Sequence, residues 1–131
     1  MTDPTGRRTI VFNGEIYNHL ELRAELDNSS SPRVLSRMVE AKLKWRGHSD
    51  TETLLAGFEH WGVAATLAKT VGMFAIVLWD VQQRMLHLAR DAFGEKPLYY
   101  GWTGRGVGNS FVFGSELKSL RAYPGFASTV C

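Results

Sequence analysis

Val11-Phe12-Asn13-Gly14-Glu15-Ile16-Tyr17-Asn18-His19 is the stretch on which the fold turns. The run from Thr9 to Phe12 is β-branched and aromatic, which is strand composition. It meets Asn13-Gly14, the dipeptide best suited to positive φ and a tight reversal, so the strand is read as ending at Phe12. Asn18 stands three residues before Glu21, a capping-box spacing, and Tyr17 is placed to staple onto Leu22. A helix is therefore predicted from about Leu20 to Leu26. The backbone N–H groups between the two elements, from Gly14 onward, are then spent on neither and are available to a ligand. Beside them, the Asn13 carboxamide is an uncharged donor of the kind that holds an oxyanion.

Working outward, the first helix should stack Leu22 and Leu26 on one face and turn Glu21, Arg23 and Glu25 to solvent. Ser29-Ser30-Ser31-Pro32 reads as a loop. The spacing of Leu35, Met38, Val39 and Leu43 behind it suggests a short amphipathic helix, its basic side chains a solvated face, with Leu43 and Trp45 alternating into a strand before Gly47. Ser49-Asp50-Thr51-Glu52 opens a second helix with capping-box spacing, and Leu54, Leu55, Phe58 and Trp61 form an apolar stripe that Gly62 ends. Taken alone, Asp50 reads as a capping carboxylate at the positive end of that helix.

A short helical piece from Val63 to Lys69 leads to Met73–Trp79, an unbroken apolar run expected to be a strand covered on both faces. The polar turn Asp80 to Arg84 joins it to Met85–Arg90 as a hairpin, within which His87 is read as packing. Pro97–Trp102 and Phe111–Phe113 form a second hairpin. Gly104-Arg105-Gly106-Val107-Gly108 lies between those strands rather than between a strand and a helix, so it fails the context of a phosphate loop. Ser115 is read as the cap of a last helix, Glu116 to Ala122, ended by Pro124. Hairpins with helices between them make an α+β domain of mainly antiparallel sheets.

At 131 residues and 44% hydrophobic content, residues 1–131 are expected to form one domain. A formal net charge of +2, with scattered Lys and Arg, argues against a nucleic-acid or membrane partner. No apolar run approaches the roughly eighteen residues of a membrane span, and there is no leader or lipidation pattern, so a soluble, cytoplasmic protein is expected. The only cysteine is Cys131, which allows neither an internal disulfide nor a thiolate metal site. Thr2 would be exposed by methionine removal, but Asp3-Pro4-Thr5-Gly6 is turn chemistry and not the rigid strand a terminal nucleophile needs.

The Asn13–His19 stretch resembles the Asn-Gly-Glu-Ile-Tyr-Asn-His signature of the glutaminase domain of glutamine-dependent asparagine synthetases, class II amidotransferases of the N-terminal-nucleophile type. The resemblance continues in order through Arg46–Glu52, Val71–Ala75, Ala89–Gly101 and Phe113–Lys118. It implies two stacked sheets under helices, a four-layer αββα sandwich of the N-terminal-nucleophile hydrolase kind, of which this chain would form an incomplete part. It further implies that Asn13 and Gly14 are the oxyanion donors and that Asn13, Gly14, Glu15 and Asp50 bind substrate. Asp50 would hold the α-amino group of glutamine while Ser49 caps the helix.

The nucleophilic cysteine and the carboxylate-binding arginine, both upstream in such enzymes, are absent from these residues, as is the synthetase domain. No cofactor is expected in this chain; ATP and magnesium would belong to the synthetase domain. The partners implied are glutamine, bound weakly, a synthetase domain or amino-terminal glutaminase segment on another chain, and self-association through unpaired strands. Three functions remain open: a partial glutaminase domain inactive alone, a glutamine-binding module, and a structural piece that completes its fold with a separate polypeptide.

Overall fold

The computed structural model describes residues 1–29, 45–104 and 108–126. Its elements run β1 (Arg8–Ile16), α1 (His19–Asn28), α2 (Asp50–His60), α3 (Val63–Lys69), β2 (Gly72–Asp80), β3 (Met85–Arg90), β4 (Tyr99–Trp102), β5 (Phe111–Gly114) and α4 (Leu117–Arg121). The class is α+β with antiparallel sheets. One sheet has the order β1-β2-β3, and β4 pairs with β5 in a second. The expected amphipathic helix around Leu35–Leu43, the centre of the Gly104–Gly108 loop and the tail with Cys131 lie outside the described residues.

The first correction falls on the opening stretch. β1 does not stop at Phe12 but runs through Asn13-Gly14 to Ile16, pairing with β2 from Arg8 opposite Asp80 to Ile16 opposite Gly72. The central strand β2 offers nine residues of pairing, and satisfying its backbone groups outweighs the local turn preference of Asn-Gly. Gly14 is needed here for closeness rather than for a reversal. Its φ is +150°, and a Cβ there would lie 2.1 Å from the Met73 carbonyl oxygen.

Period-two alternation then sorts the side chains of β1. Ile10 and Ile16 enter a core shared with Leu22, Leu54, Leu55, Phe58, Phe74, Ile76 and Leu78, with Phe12 partly buried against it. Val11, Asn13 and Glu15 point to the opposite face. In β2 the residues Phe74 to Leu78 are buried on both faces as expected, but Trp79 is not, at 39% exposed.

The start of α1 is held differently from the reading above. Asn18 makes no side-chain cap. Its Nδ2 donates to the Lys69 carbonyl and its Oδ1 accepts from the Val71 N–H, both at 2.9 Å, while the Tyr17 N–H donates to the Val71 carbonyl at 2.8 Å. Asn18 therefore ties the end of β1 to the approach to β2. Tyr17 is exposed, so the staple onto Leu22 is not made.

Arg23, expected outside, is buried. It donates to the Thr53 hydroxyl and to the carbonyls of Gly47 and Ser49 at 3.2, 2.7 and 3.2 Å, with its guanidinium 4.0 Å from the Trp45 ring. Three acceptors and a stacked aromatic satisfy a fork of donors that helical spacing alone assigns to solvent. Trp45 lies in no strand; its indole N–H bonds Asp27. The segment leading into α2 is thus pinned to α1, and Ser49 caps α2 by accepting from the Glu52 N–H. The Glu52 carboxylate reaches back past Ser49 to the N–H groups of Arg46 and Gly47.

Two buried aspartates brace the first sheet. Asp91, after β3, accepts from the N–H groups of Glu95, Lys96, Phe74 and Phe93. The Glu95 contact leads in holding its carboxyl down to about 2, against burial, with the other three N–H groups assisting. For Asp80, burial works to raise the pKa but is outweighed by the Gln83 N–H and then by Arg7, so it too sits at about 2. Arg8 and Arg7 flank Asp80 and reach on to Glu59.

A carboxyl held below its ordinary 3.8 stabilises the fold above that value and loses the contribution as pH falls through it toward 2. The melting temperature should accordingly be level from pH 7 to 5 and drop between pH 4 and 2. The deficit of Asp91→Asn relative to the parent should shrink over that same window. A deficit that stays constant down to pH 2 would count against this assignment of the acid limb.

Candidate functional site

β1 meets the junction of β5 with α4 at Asn13, and it meets the amino terminus of α2 at Ile16. Asn13 Nδ2 donates to Ser115 Oγ at 2.9 Å. Both residues border a cavity of about 150 Å³ lined also by Val11, Ala75, Val77, Leu98, Phe113 and Gly114. The carboxamide thus stands at the rim of an apolar recess between the two sheets. A larger cavity of about 310 Å³ between β5 and α4, lined by Phe111, Val112, Phe113, Ser119, Leu120 and Tyr123, carries no carboxylate, amide or basic side chain and offers less chemistry.

Gly14 contributes backbone. Opposed residues of an antiparallel pair exchange either both hydrogen bonds or none. Phe74, opposite Gly14, gives its N–H to the Asp91 carboxylate and its carbonyl to the Asp91 N–H, so Gly14 exchanges none with β2. The residues of like parity in β1 confirm the direction. Ile10 pairs outward with Met1, and the Ile16 N–H goes outward to Asp50 Oδ2 at 3.1 Å. The Gly14 N–H therefore faces the outer edge of the sheet, between Met1 and Asp50. The expectation that every N–H from Gly14 onward faces a ligand is narrowed, since those of Ile16 and Tyr17 are spent within the fold.

Asp50 is the first residue of α2. Its Oδ1 accepts from the Thr51 N–H at 2.7 Å, and its Oδ2 holds the Ile16 N–H. Oδ1 also accepts from the Thr51 hydroxyl at 3.3 Å, so Oδ2 keeps the open lone-pair direction, and the Thr51 contacts fix the carboxylate at the helix amino terminus, where negative charge is favoured. Glu15 is exposed on the same face of β1 as Asn13. Asn13, Gly14 and Glu15 are thus consecutive in the second half of β1, and Asp50 is tied to the last residue of that strand, Ile16. The cavity itself touches Asn13 but neither Glu15 nor Asp50.

Ser115 was read as a helix cap, and that role is not filled. α4 begins at Leu117 behind Glu116 without any side-chain cap. The Ser115 hydroxyl is instead turned across the cleft to a residue 102 positions away. Local spacing carries no sign of such a partner, although Ser115 lies within the Phe113–Lys118 stretch of the resemblance.

Comparison with known proteins follows the same lines. A family described as a glutamine amidotransferase domain matches residues 1–130. Asparagine synthetase [glutamine-hydrolyzing] 1 of Bacillus subtilis is 43% identical over 112 residues, which are 85% of this chain and 15% of that protein. A putative asparagine synthetase [glutamine-hydrolyzing] of Mycobacterium bovis is 47% identical over 114 residues, 87% of this chain and 15% of its own length. One from Methanocaldococcus jannaschii is 34% identical over 113 residues, 86% of this chain and 18% of the relative. The chain spans about 15% of the length of the first two relatives. Among the described residues, no helix is long and apolar enough to cross a membrane.

Proposed function

Since the chain belongs to the glutamine amidotransferase domains, we propose that it forms the oxyanion side of a glutaminase site, with Asn13 Nδ2 and the Gly14 N–H as the two donors. The observation that carries this reading is the pairing of an outward Gly14 N–H with the Asn13 carboxamide on one strand end. Attack of a thiolate on the side-chain amide of glutamine makes a tetrahedral oxyanion, and two fixed donors lower its energy. Collapse expels ammonia, leaving a thioester that water hydrolyses to glutamate. Asp50 and Glu15 are the carboxylates that this reading assigns to the α-amino group of glutamine. These residues include no free-amine cysteine, so the nucleophile comes from an amino-terminal segment outside them.

The layering that accompanies this reading is αββα. Its supports are a core on the α2 side of the first sheet and a recess between that sheet and β5 on the other. The outer edge of β1 from Phe12 to Gly14 has no strand beside it among the described residues. An incoming strand from the amino-terminal segment, or from a second copy, finds unpaired backbone at Phe12 and stops short of Gly14, whose N–H is kept for the oxyanion. The relatives are named glutamine-hydrolysing asparagine synthetases, and in a whole enzyme of that kind the ammonia would pass to a synthetase part and amidate aspartate. ATP and magnesium belong to that part. Among the described residues no group of three or more His, Cys, Asp and Glu is placed for a metal ion.

Ammonia release from glutamine by the chain alone is expected at background, with glutamine bound weakly. Extended by an amino-terminal glutaminase segment that begins with cysteine, it should turn glutamine over. A folded, extended chain that releases no ammonia would overturn the reading.

A further inference from the structure

We propose that Ser115 is a positioning residue that sets the plane of the Asn13 carboxamide before any substrate arrives. The proposal rests on the reading of Asn13 as an oxyanion donor. Asn13 lies on an exposed strand face, and the χ2 of an asparagine is a broad, two-fold torsion, so packing alone does not orient the amide. An oxyanion donor that must reorganise during the reaction loses most of its advantage. Nδ2 carries two hydrogens in the amide plane. With one donated to Ser115 Oγ at 2.9 Å, the direction of the other follows from planarity.

Ser115 is suited to this because both of its flanks are anchored. Gly114 closes β5 opposite Tyr99, and α4 folds back so that Leu120 is buried, its Cδ1 only 3.0 Å from where a Gly114 Cβ would stand. The hydroxyl is free for the task because α4 takes no side-chain cap. The second sheet thereby contributes to the site without supplying a reacting group.

Two measurements test this. In the chain as it exists, the Asn13 side-chain amide protons should resolve as one hydrogen-bonded and one solvent-exchanging signal, and Ser115→Ala should make both exchange alike. In the cysteine-extended enzyme, Ser115→Ala should lower kcat about tenfold with little change in KM. Ser115→Thr should restore most of it, and Ser115→Ala should add no further loss on an Asn13→Ala background. Melting temperatures of the Ser115 variants should match the parent. Unchanged kcat in Ser115→Ala, or a loss that persists without Asn13, would overturn the proposal. An inactive extended parent would instead refute the glutaminase reading, and the Asn13 amide signals would still decide the Ser115 contact.

Discussion

Asn13→Ala, made in the cysteine-extended enzyme, is expected to lower kcat for ammonia release by about 10²- to 10³-fold, the cost of removing one oxyanion donor. The carboxamide meets the oxygen fully only once it bears charge, so the loss should appear in kcat while KM changes little. Asn13 is exposed and bonds one hydroxyl, so truncation leaves no buried group unsatisfied, and stability should change by less than about 1 kcal/mol. That separates chemistry from folding. A rise in KM at constant kcat would mean that Asn13 binds the ground state alone, and Gly14 would then have to be the principal donor. Asp50→Asn offers a contrast. Its single amide oxygen can accept from only one of the Thr51 and Ile16 N–H groups, so some stability is lost, but on the proposed reading it also removes the charge assigned to an α-amino group, so its kinetic effect should fall on KM.

Gly14→Ala should abolish the native fold or destabilise it by on the order of 4 kcal/mol or more, a large part of the 5–15 kcal/mol that a domain has in total. Two independent strains combine. At φ +150° an L residue is disfavoured by its own backbone, and its Cβ would press to 2.1 Å from the Met73 carbonyl oxygen and 2.7 Å from Phe74 Cα. Both obstacles are backbone of the central strand, which cannot rotate away as a side chain can. Gly6 supplies the control. It also has a positive φ, +72°, yet nothing lies within 4 Å of its would-be Cβ, so Gly6→Ala should cost only about 1 kcal/mol. Denaturant unfolding of the two variants side by side checks the difference. Equal, small losses would mean that β1 can withdraw from β2 at Gly14 without penalty.

Much of this protein is legible locally. The apolar run of β2, the exact extents of α3 and β3, the α2 stripe and the Ser49 cap all follow from period and capping chemistry, because those elements bury a continuous face that the sequence pattern already displays. The candidate residues Asn13, Gly14, Glu15 and Asp50 came from motif order. Neither pattern nor motif could say what those residues touch.

Tertiary structure decided the rest. Asn13-Gly14 has the composition of a turn, but pairing along all nine residues of β2 draws it into a strand, and Gly14 is required by the approach of a neighbouring backbone rather than by a reversal. Arg23 looks solvated on a helical wheel, yet carbonyls of Gly47 and Ser49, contributed by a segment more than twenty residues on, compensate its burial. Asn18 and Ser115 carry cap chemistry but give their side chains to Lys69, Val71 and Asn13. In each case a polar group had a local partner on offer and took a distant one. Hydrogen-bond donors and acceptors are short-ranged and satisfied by whatever the packed chain brings within about 3 Å, and that proximity is a property of the fold rather than of sequence neighbours.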